Sequence, residues 1–205
     1  MRTIKYFFVS VVLVALSIGN VASGQILAWQ FNGSDGKATT YTSTTTDLNL
    51  ETSVITRGAG APASGGSSNS MVGALTISAD KNEALTNNAY YEFLIKPKTG
   101  YYVSLTDIDC SIRIQTYSAK TYQYRYSLDG VNFTDIGNPV TLTDENNNGT
   151  FQPTIDLASY NELKNVTSAQ TITIRLYAWG GTVAPEGSTL INFGFGKSAT
   201  VDVPT

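Results

Sequence analysis

The chain has 205 residues, with 13 basic and 16 acidic side chains, one cysteine and no histidine. This length suits one domain with a buried core, and the lack of histidine excludes Ser-His-Asp catalysis, Cys-His catalysis and His-ligated zinc. The net charge of −3 and the scattered basic residues argue against nucleic acid as a partner.

Residues 1–24 have the pattern of a secretory signal peptide. Arg2 and Lys5 provide a positive start, an apolar run follows at residues 6–18, and residues 21–24 are the small residues of a cleavage site. The apolar run is shorter than the ~20 residues needed to cross a bilayer, so we expect no membrane span after cleavage. The sequence therefore predicts a protein that is secreted to the extracellular surface, or alternatively one held in the periplasm.

The remaining residues, 25–205, are predicted to form a single domain of short strands separated by turns. The only helix that we predict is a short one near residues 157–164, and residues 57–72 are predicted to be a long surface loop. Strand patterns occur at residues 26–31, 48–56, 75–77, 89–96, 101–105, 107–115, 140–142, 151–155, 171–179, 190–195 and 200–203, with a hairpin at 121–137. Strands at this spacing, without crossover helices, predict an all-β fold of two packed antiparallel sheets.

The hairpin at residues 121–137 is the clearest structural signal in the sequence. Tyr122, Tyr124 and Tyr126 alternate with polar residues, and a tight Asp129-Gly130 turn is predicted to follow. An Asp-Gly pair between alternating segments favours a hairpin, because glycine accepts the positive φ that such a turn requires.

Cys110 cannot form an intramolecular disulfide, because it is the only cysteine in the chain. It shares the apolar phase of its predicted strand with Ile108 and Ile112. We therefore predict a small buried hydrophobic residue rather than a nucleophile.

Several segments together resemble a jelly-roll module of exported bacterial surface proteins, a type similar in architecture to carbohydrate-binding modules and laminin-G-like domains. The resemblance covers most of the chain after the leader. Its segments are Ala89-Tyr90-Tyr91-Glu92-Phe93, Gly100-Tyr101, Ser127-Leu128-Asp129-Gly130, Arg175-Leu176-Tyr177 and Thr189-Leu190-Ile191-Asn192. The resemblance implies a β-sandwich of jelly-roll type and a non-catalytic binding or surface role.

The sharpest binding hypothesis is a glycan platform on an outer sheet face. If the apolar residues of three strands face the core, the alternating polar residues face outward. Aromatic rings can stack on sugar C–H faces, while arginine and amide groups bind hydroxyls. The predicted ligand-binding residues are Arg113, Gln115, Gln123, Arg125, Arg175, Tyr177 and Trp179.

A simpler explanation competes with the platform. Arg113 and Arg175 could serve only to pair with Glu92 or Asp109 across neighbouring strands. Trp179 could likewise only cap one end of the fold, next to two glycines.

A second site hypothesis is a calcium loop at residues 144–149. Asp144, Asn146 and Asn148 stand at alternate positions before Gly149, as in the opening of a calcium-binding loop. The twelfth position is Ile155 instead of glutamate, so a plain polar turn is the competing interpretation.

The sequence favours a non-catalytic module that binds a glycan or another cell-surface polymer, and it leaves two alternatives open. One is a structural or adhesive surface protein that binds no sugar. The other is a carbohydrate-active enzyme with a carboxylate pair drawn from Glu51, Glu92, Asp107 or Asp109. No motif pairs these carboxylates, so we predict that the protein is not an enzyme.

Overall fold

The computed structural model describes residues 24–65, 67–143 and 147–196. These residues form several antiparallel sheets, the largest with six strands, which confirms the predicted all-β class. The predicted signal peptide lies outside the described residues except for Gly24, and so does the predicted strand at residues 200–203.

The described residues contain strands of two to eight residues, one short α-helix and one 3₁₀ turn. The α-helix is α1 (Lys81–Thr86), and the 3₁₀ turn is Asn161–Leu163. The strands are β1 (Leu27–Ala28), β2 (Tyr41–Thr42), β3 (Thr45–Thr46), β4 (Val54–Arg57), β5 (Ser70–Ala74), β6 (Tyr90–Ile95), β7 (Tyr102–Val103), β8 (Asp107–Ile108), β9 (Ser111–Ile114), β10 (Thr121–Ser127), β11 (Thr134–Thr141), β12 (Thr150–Phe151), β13 (Ile155–Asp156), β14 (Val166–Thr167), β15 (Ile172–Trp179) and β16 (Asn192–Gly196).

Two sheets account for most of these strands. The large sheet has the strand order β11-β10-β15-β6-β4-β2, and the small sheet has the order β12-β9-β16-β5. The other strands form three two-stranded ribbons, β1-β3, β13-β8 and β14-β7. Strands that are distant in the sequence are therefore neighbours, as where β15 lies between β10 and β6.

Both sheets contribute side chains to one hydrophobic core. Tyr124 and Tyr126 of β10 and Ile174 and Leu176 of β15 are buried there, which confirms the facing predicted from their alternation. Burial of this apolar surface is the main favourable contribution to folding.

Tyr91 of β6 connects the two sheets at the centre of the core. Its buried hydroxyl donates a hydrogen bond of 2.7 Å to the Phe193 carbonyl of β16 and accepts one of 3.1 Å from Arg57 Nη1. Its ring meets the ring of Phe195 edge to face, with 5.2 Å between the centroids. Burial raises the pKa of Tyr91 to about 12, so the hydroxyl keeps its proton at neutral pH.

The predicted hairpin at 121–137 is confirmed, but its connection is wider than a tight turn. β10 pairs with β11, and β11 begins only at Thr134. The Asp129 carboxylate accepts hydrogen bonds from the backbone N–H groups of Val131 and Asn132, at 2.8 and 2.7 Å. These bonds hold the backbone in a local turn, so the second strand begins later. The Asn132 side-chain amide also donates to the Asp129 carboxylate at 2.7 Å, and this bond, followed by the two backbone bonds, lowers the pKa of Asp129.

The short helix predicted near residues 157–164 forms only as one 3₁₀ turn, and the prediction that no other helix forms is wrong. That stretch holds only the 3₁₀ turn Asn161–Leu163, whereas the α-helix is α1 at Lys81–Thr86. The Asp80 side chain accepts the Glu83 N–H at 3.0 Å and so caps the start of α1. None of the helices in the described part of the chain has the length and apolar character needed to cross a membrane.

The region between the first strands and α1 also differs from the prediction. The last residues of the predicted loop at 57–72 belong to β5, and the strand predicted at 75–77 does not form. β5 extends to Ala74 because it pairs along its whole length with β16. This pairing partner is more than a hundred residues away in sequence, which local patterns cannot indicate.

β11 forms one edge of the large sheet, and side chains occupy part of that edge. The Gly137 N–H donates to the Tyr160 hydroxyl at 2.7 Å, and the Gly137 carbonyl accepts from Gln123 Nε2 at 2.7 Å. The register shifts between Tyr122 and Tyr124 on the neighbouring strand, and Pro139 has no backbone N–H to donate.

We expect the Tyr91→Phe variant to be less stable by about 1–3 kcal/mol, because the Phe193 carbonyl and Arg57 Nη1 would both lose a buried partner. Urea unfolding measures this change. Tyr101→Phe is the control, because Tyr101 is 48% exposed. Equal stabilities of the two variants would contradict the bridging role of Tyr91.

We expect the Cys110 thiol to be inert in the folded protein. Cys110 is 2% exposed, and burial raises its pKa to about 11, so little thiolate exists at about pH 8. Titration with Ellman's reagent should give no reaction in buffer and one thiol per chain in concentrated urea. Rapid labelling in buffer would show that the side chain is accessible.

Candidate ligand-binding surface

Four charged side chains form a row across the outer face of the large sheet, and we call Asp135, Arg125, Arg175 and Glu92 the charged row. They belong to the adjacent strands β11, β10, β15 and β6 and lie directly opposite one another in register. The facing follows from alternation, because Ile174 and Leu176 on either side of Arg175 point into the core.

Arg175 is the most tightly held member of the charged row. Its Nε donates to Glu92 Oε2 at 2.6 Å, and its Nη1 donates to the Tyr177 hydroxyl at 3.3 Å. Its guanidinium lies 4.2 Å from the ring centroid of Tyr90 and 4.2 Å from that of Phe133. Burial acts to lower the pKa of Arg175, but the bonds to Glu92 and Tyr177 outweigh it and raise the pKa.

Arg125 and Asp135 form the other half of the charged row. Arg125 Nε donates to Asp135 Oδ1 at 2.8 Å, and Arg125 Nη2 donates to the Phe133 carbonyl at 2.6 Å. Lys81 of α1 bonds the second oxygen of Asp135. Partial burial acts to raise the pKa of Asp135, but the hydrogen bonds and charges of Lys81 and Arg125 outweigh it and lower the pKa.

Helix α1 covers part of the predicted platform. α1 packs against β15, and Lys81 reaches Asp135 on the far side of β10. On the outer face beside the charged row, Tyr177 is 3% exposed and Gln123 is 5% exposed. These two side chains are therefore buried, whereas Trp179, at the end of β15, is half-buried.

The structure separates Arg113 and Gln115 from the other predicted site residues. Arg113 belongs to β9 of the small sheet, and the Gln115 N–H bonds the carbonyl of Asn192 in β16. A platform that includes Arg113, Arg125 and Arg175 requires their strands to share one sheet, and this condition is not met. The outer-face pattern is the same in each strand, but β9 pairs with β16 and β12 instead of β10 or β15.

Arg113 is buried on the small sheet. Its Nη1 donates to the Ser68 carbonyl at 2.5 Å, its Nη2 donates to Asn147 Oδ1 at 3.5 Å, and burial lowers its pKa. The suggested pairing of Arg113 with Glu92 or Asp109 does not occur. The suggested pairing of Arg175 with Glu92 does occur.

Of the predicted calcium ligands, Asp144 and Asn146 lie outside the described residues, and Asn148 lies in an exposed turn. The neighbouring Asn147 Oδ1 accepts hydrogen bonds from Arg113 and, at 3.2 Å, from Gln115 Nε2. A guanidinium at this oxygen disfavours a cation there. In the part of the chain that the structure describes, no three acidic or cysteine side chains are grouped to hold a metal. The calcium site stays a prediction.

The carboxylates considered for catalysis lie on different elements. Glu92 belongs to β6 and is ion-paired with Arg175, whereas Asp107 belongs to β8. Asp109 accepts a hydrogen bond of 2.6 Å from the Thr154 hydroxyl.

A groove of about 230 Å³ lies between the edges of the two sheets. Ile112 and Ile114 of β9 line one side, and Val140 and Leu142 line another. Its lining is apolar or uncharged and includes none of the predicted ligand-binding residues.

Sequence reasoning missed three contributors to the outer face, namely Tyr90, Phe133 and Lys81. Alternation places Tyr90 on the face of Glu92, and that signal was available in β6. Phe133 and Lys81 reach the face from a loop and from α1, so only the folded chain brings them there.

Comparison with known protein families, with curated proteins and with solved structures gives no match to this chain.

Asp135 should make the protein sensitive to acid. Its folded-state pKa lies below the ordinary value of 3.8, so its contribution to stability is present above about pH 4 and is lost as the pH falls further. We expect Asp135→Asn to be less stable than wild type at pH 6. As the pH falls from about 5 to 2, the variant should lose less additional stability than wild type does. Urea unfolding across this range measures the free energy of unfolding of both proteins. If wild type and Asp135→Asn lost stability in parallel as the pH fell, the ion pairs of Asp135 would be contradicted.

Proposed function

We propose that this protein is an exported, non-catalytic binding module that binds a glycan on the outer face of its large sheet. The proposal combines the predicted signal peptide, the all-β fold and the charged row. The charged row carries it, because its acidic and guanidinium groups lie beside the rings of Tyr90 and Phe133 on a partly exposed surface.

We further infer that the two larger sheets form a sandwich of jelly-roll type. Their shared core and the Tyr91 bridge support this architecture. The insertion of β15 between β10 and β6, and of β16 between β9 and β5, is consistent with the long connections of such folds.

The fixed geometry of the charged row suits recognition of hydroxyl groups. Glu92 and Asp135 supply acceptors, and Arg125 and Arg175 supply donors, with side chains between 20% and 42% exposed. The ion pairs and the rings of Tyr90 and Phe133 hold the arginines before a ligand arrives, which lowers the entropic cost of binding. The half-buried rings and Trp179 offer apolar surface for the C–H groups of a sugar.

Titration of the purified protein against a broad glycan panel tests the proposal. We expect at least one glycan to bind, and Arg175→Ala to weaken it about tenfold or more, because charge-assisted bonds would be lost. Trp179→Ala should weaken binding less, because Trp179 lies at the end of the strand.

Gln115→Ala is the matched control, since Gln115 also carries a polar side chain next to a strand but adjoins the small sheet. Its affinity should equal that of wild type. Absence of binding across the panel would overturn the proposal and favour a structural or adhesive role. Equal losses in Arg175→Ala and Gln115→Ala would place the ligand elsewhere.

A further inference from the structure

Arg125 and Arg175 stand directly opposite each other on the paired strands β10 and β15. Like charges in this position repel, and the flanking carboxylates of Asp135 and Glu92 offset the repulsion. With Lys81, the surface holds three positive and two negative side chains. These five side chains together carry a charge of +1, in a chain whose net charge is −3.

The two guanidinium groups have unused hydrogen-bond donors. The Nε atoms donate to the carboxylates, Arg125 Nη2 donates to Phe133, and Arg175 Nη1 donates to Tyr177. Within the described residues, no acceptor bonds Arg125 Nη1 or Arg175 Nη2. Both side chains are 20% exposed, so a ligand can reach this edge from solvent.

The arginine pair is also held rigidly. The Phe133 ring lies 4.2 Å from the Arg175 guanidinium and 5.9 Å from the Arg125 guanidinium, and so covers both. The turn held by Asp129 precedes Phe133 and fixes the approach of its backbone. Two fixed, adjacent guanidinium groups with free donors suit a planar or multidentate anion.

We propose that the ligand is an acidic glycan, and that its carboxylate or sulfate group binds between Arg125 and Arg175. This inference rests on the proposed function and specifies its substrate class. The anionic group accepts hydrogen bonds from the free donors and neutralises the excess positive charge. Asp135 and Glu92 then accept hydrogen bonds from neighbouring hydroxyl groups of the sugar.

Matched pairs of polysaccharides test the charge requirement with the purified protein. The first pair is polygalacturonate and its methyl ester, and the second is dextran sulfate and dextran. We expect the charged member of at least one pair to bind about tenfold tighter or more than its neutral partner. Preference within the first pair identifies a carboxylate as the recognised group, and preference within the second identifies a sulfate.

Variants that change one positive charge separate a specific site from general attraction. Arg125→Gln and Arg175→Gln should each weaken the charged ligand about tenfold, whereas Lys98→Gln, an exposed cation elsewhere, should leave the affinity unchanged. Arg125→Lys keeps the charge but loses the planar fork, so we expect an intermediate affinity. Circular dichroism checks folding, and the two Arg125 variants carry the test if Arg175→Gln fails to fold.

The outcomes distinguish the two proposals. A neutral glycan that binds as tightly as its charged partner, and loses affinity in Arg175→Ala, would overturn the acidic preference and leave glycan binding intact. An equal loss in Lys98→Gln and Arg125→Gln would show general electrostatic attraction and overturn the site between the arginines. Absence of binding to every polymer, charged or neutral, would overturn both proposals.

Discussion

The register of β15 between β10 and β6 is the constraint on which both faces of the large sheet depend. It directs Ile174 and Leu176 into the core and aligns Arg175 with Arg125 and Glu92 on the opposite face. A slip of one residue would turn the charged side chains toward the core, where an unpaired charge is very costly. The packing of the apolar core therefore sets the strand register, and this register also aligns the side chains of the outer surface.

In the proposed function, Arg175 would combine a structural role and a binding role in one side chain. Its bond to Glu92 is the cross-strand ion pair that the simpler explanation proposed. That pair uses Nε, however, and a guanidinium has five N–H donors in a fixed fork. The ion pair and the rings of Tyr90 and Phe133 orient the remaining donors, and the proposed binding role depends on this orientation.

The parts of the fold that the sequence predicted are those that depend on local patterns. Alternation was enough to assign the inward side chains of β10 and β15. It was not enough to separate Arg113 from Arg125 and Arg175, because all three alternate with apolar residues and only long-range pairing places β9 in the small sheet. Helix α1 was missed because six residues give little periodicity, although the spacing of Asp80 and Glu83 is a helix-start signal.

The irregular edge strand β11 affects how copies of the protein can associate at high concentration. An eight-residue edge strand is long enough to recruit a strand from another molecule and begin a fibril. Here Tyr160 and Gln123 bond the backbone of Gly137, Pro139 offers no N–H, and the register of the pair is irregular. A second chain therefore finds no continuous ladder of backbone groups along β11, so this edge of the large sheet resists pairing with another copy of the protein.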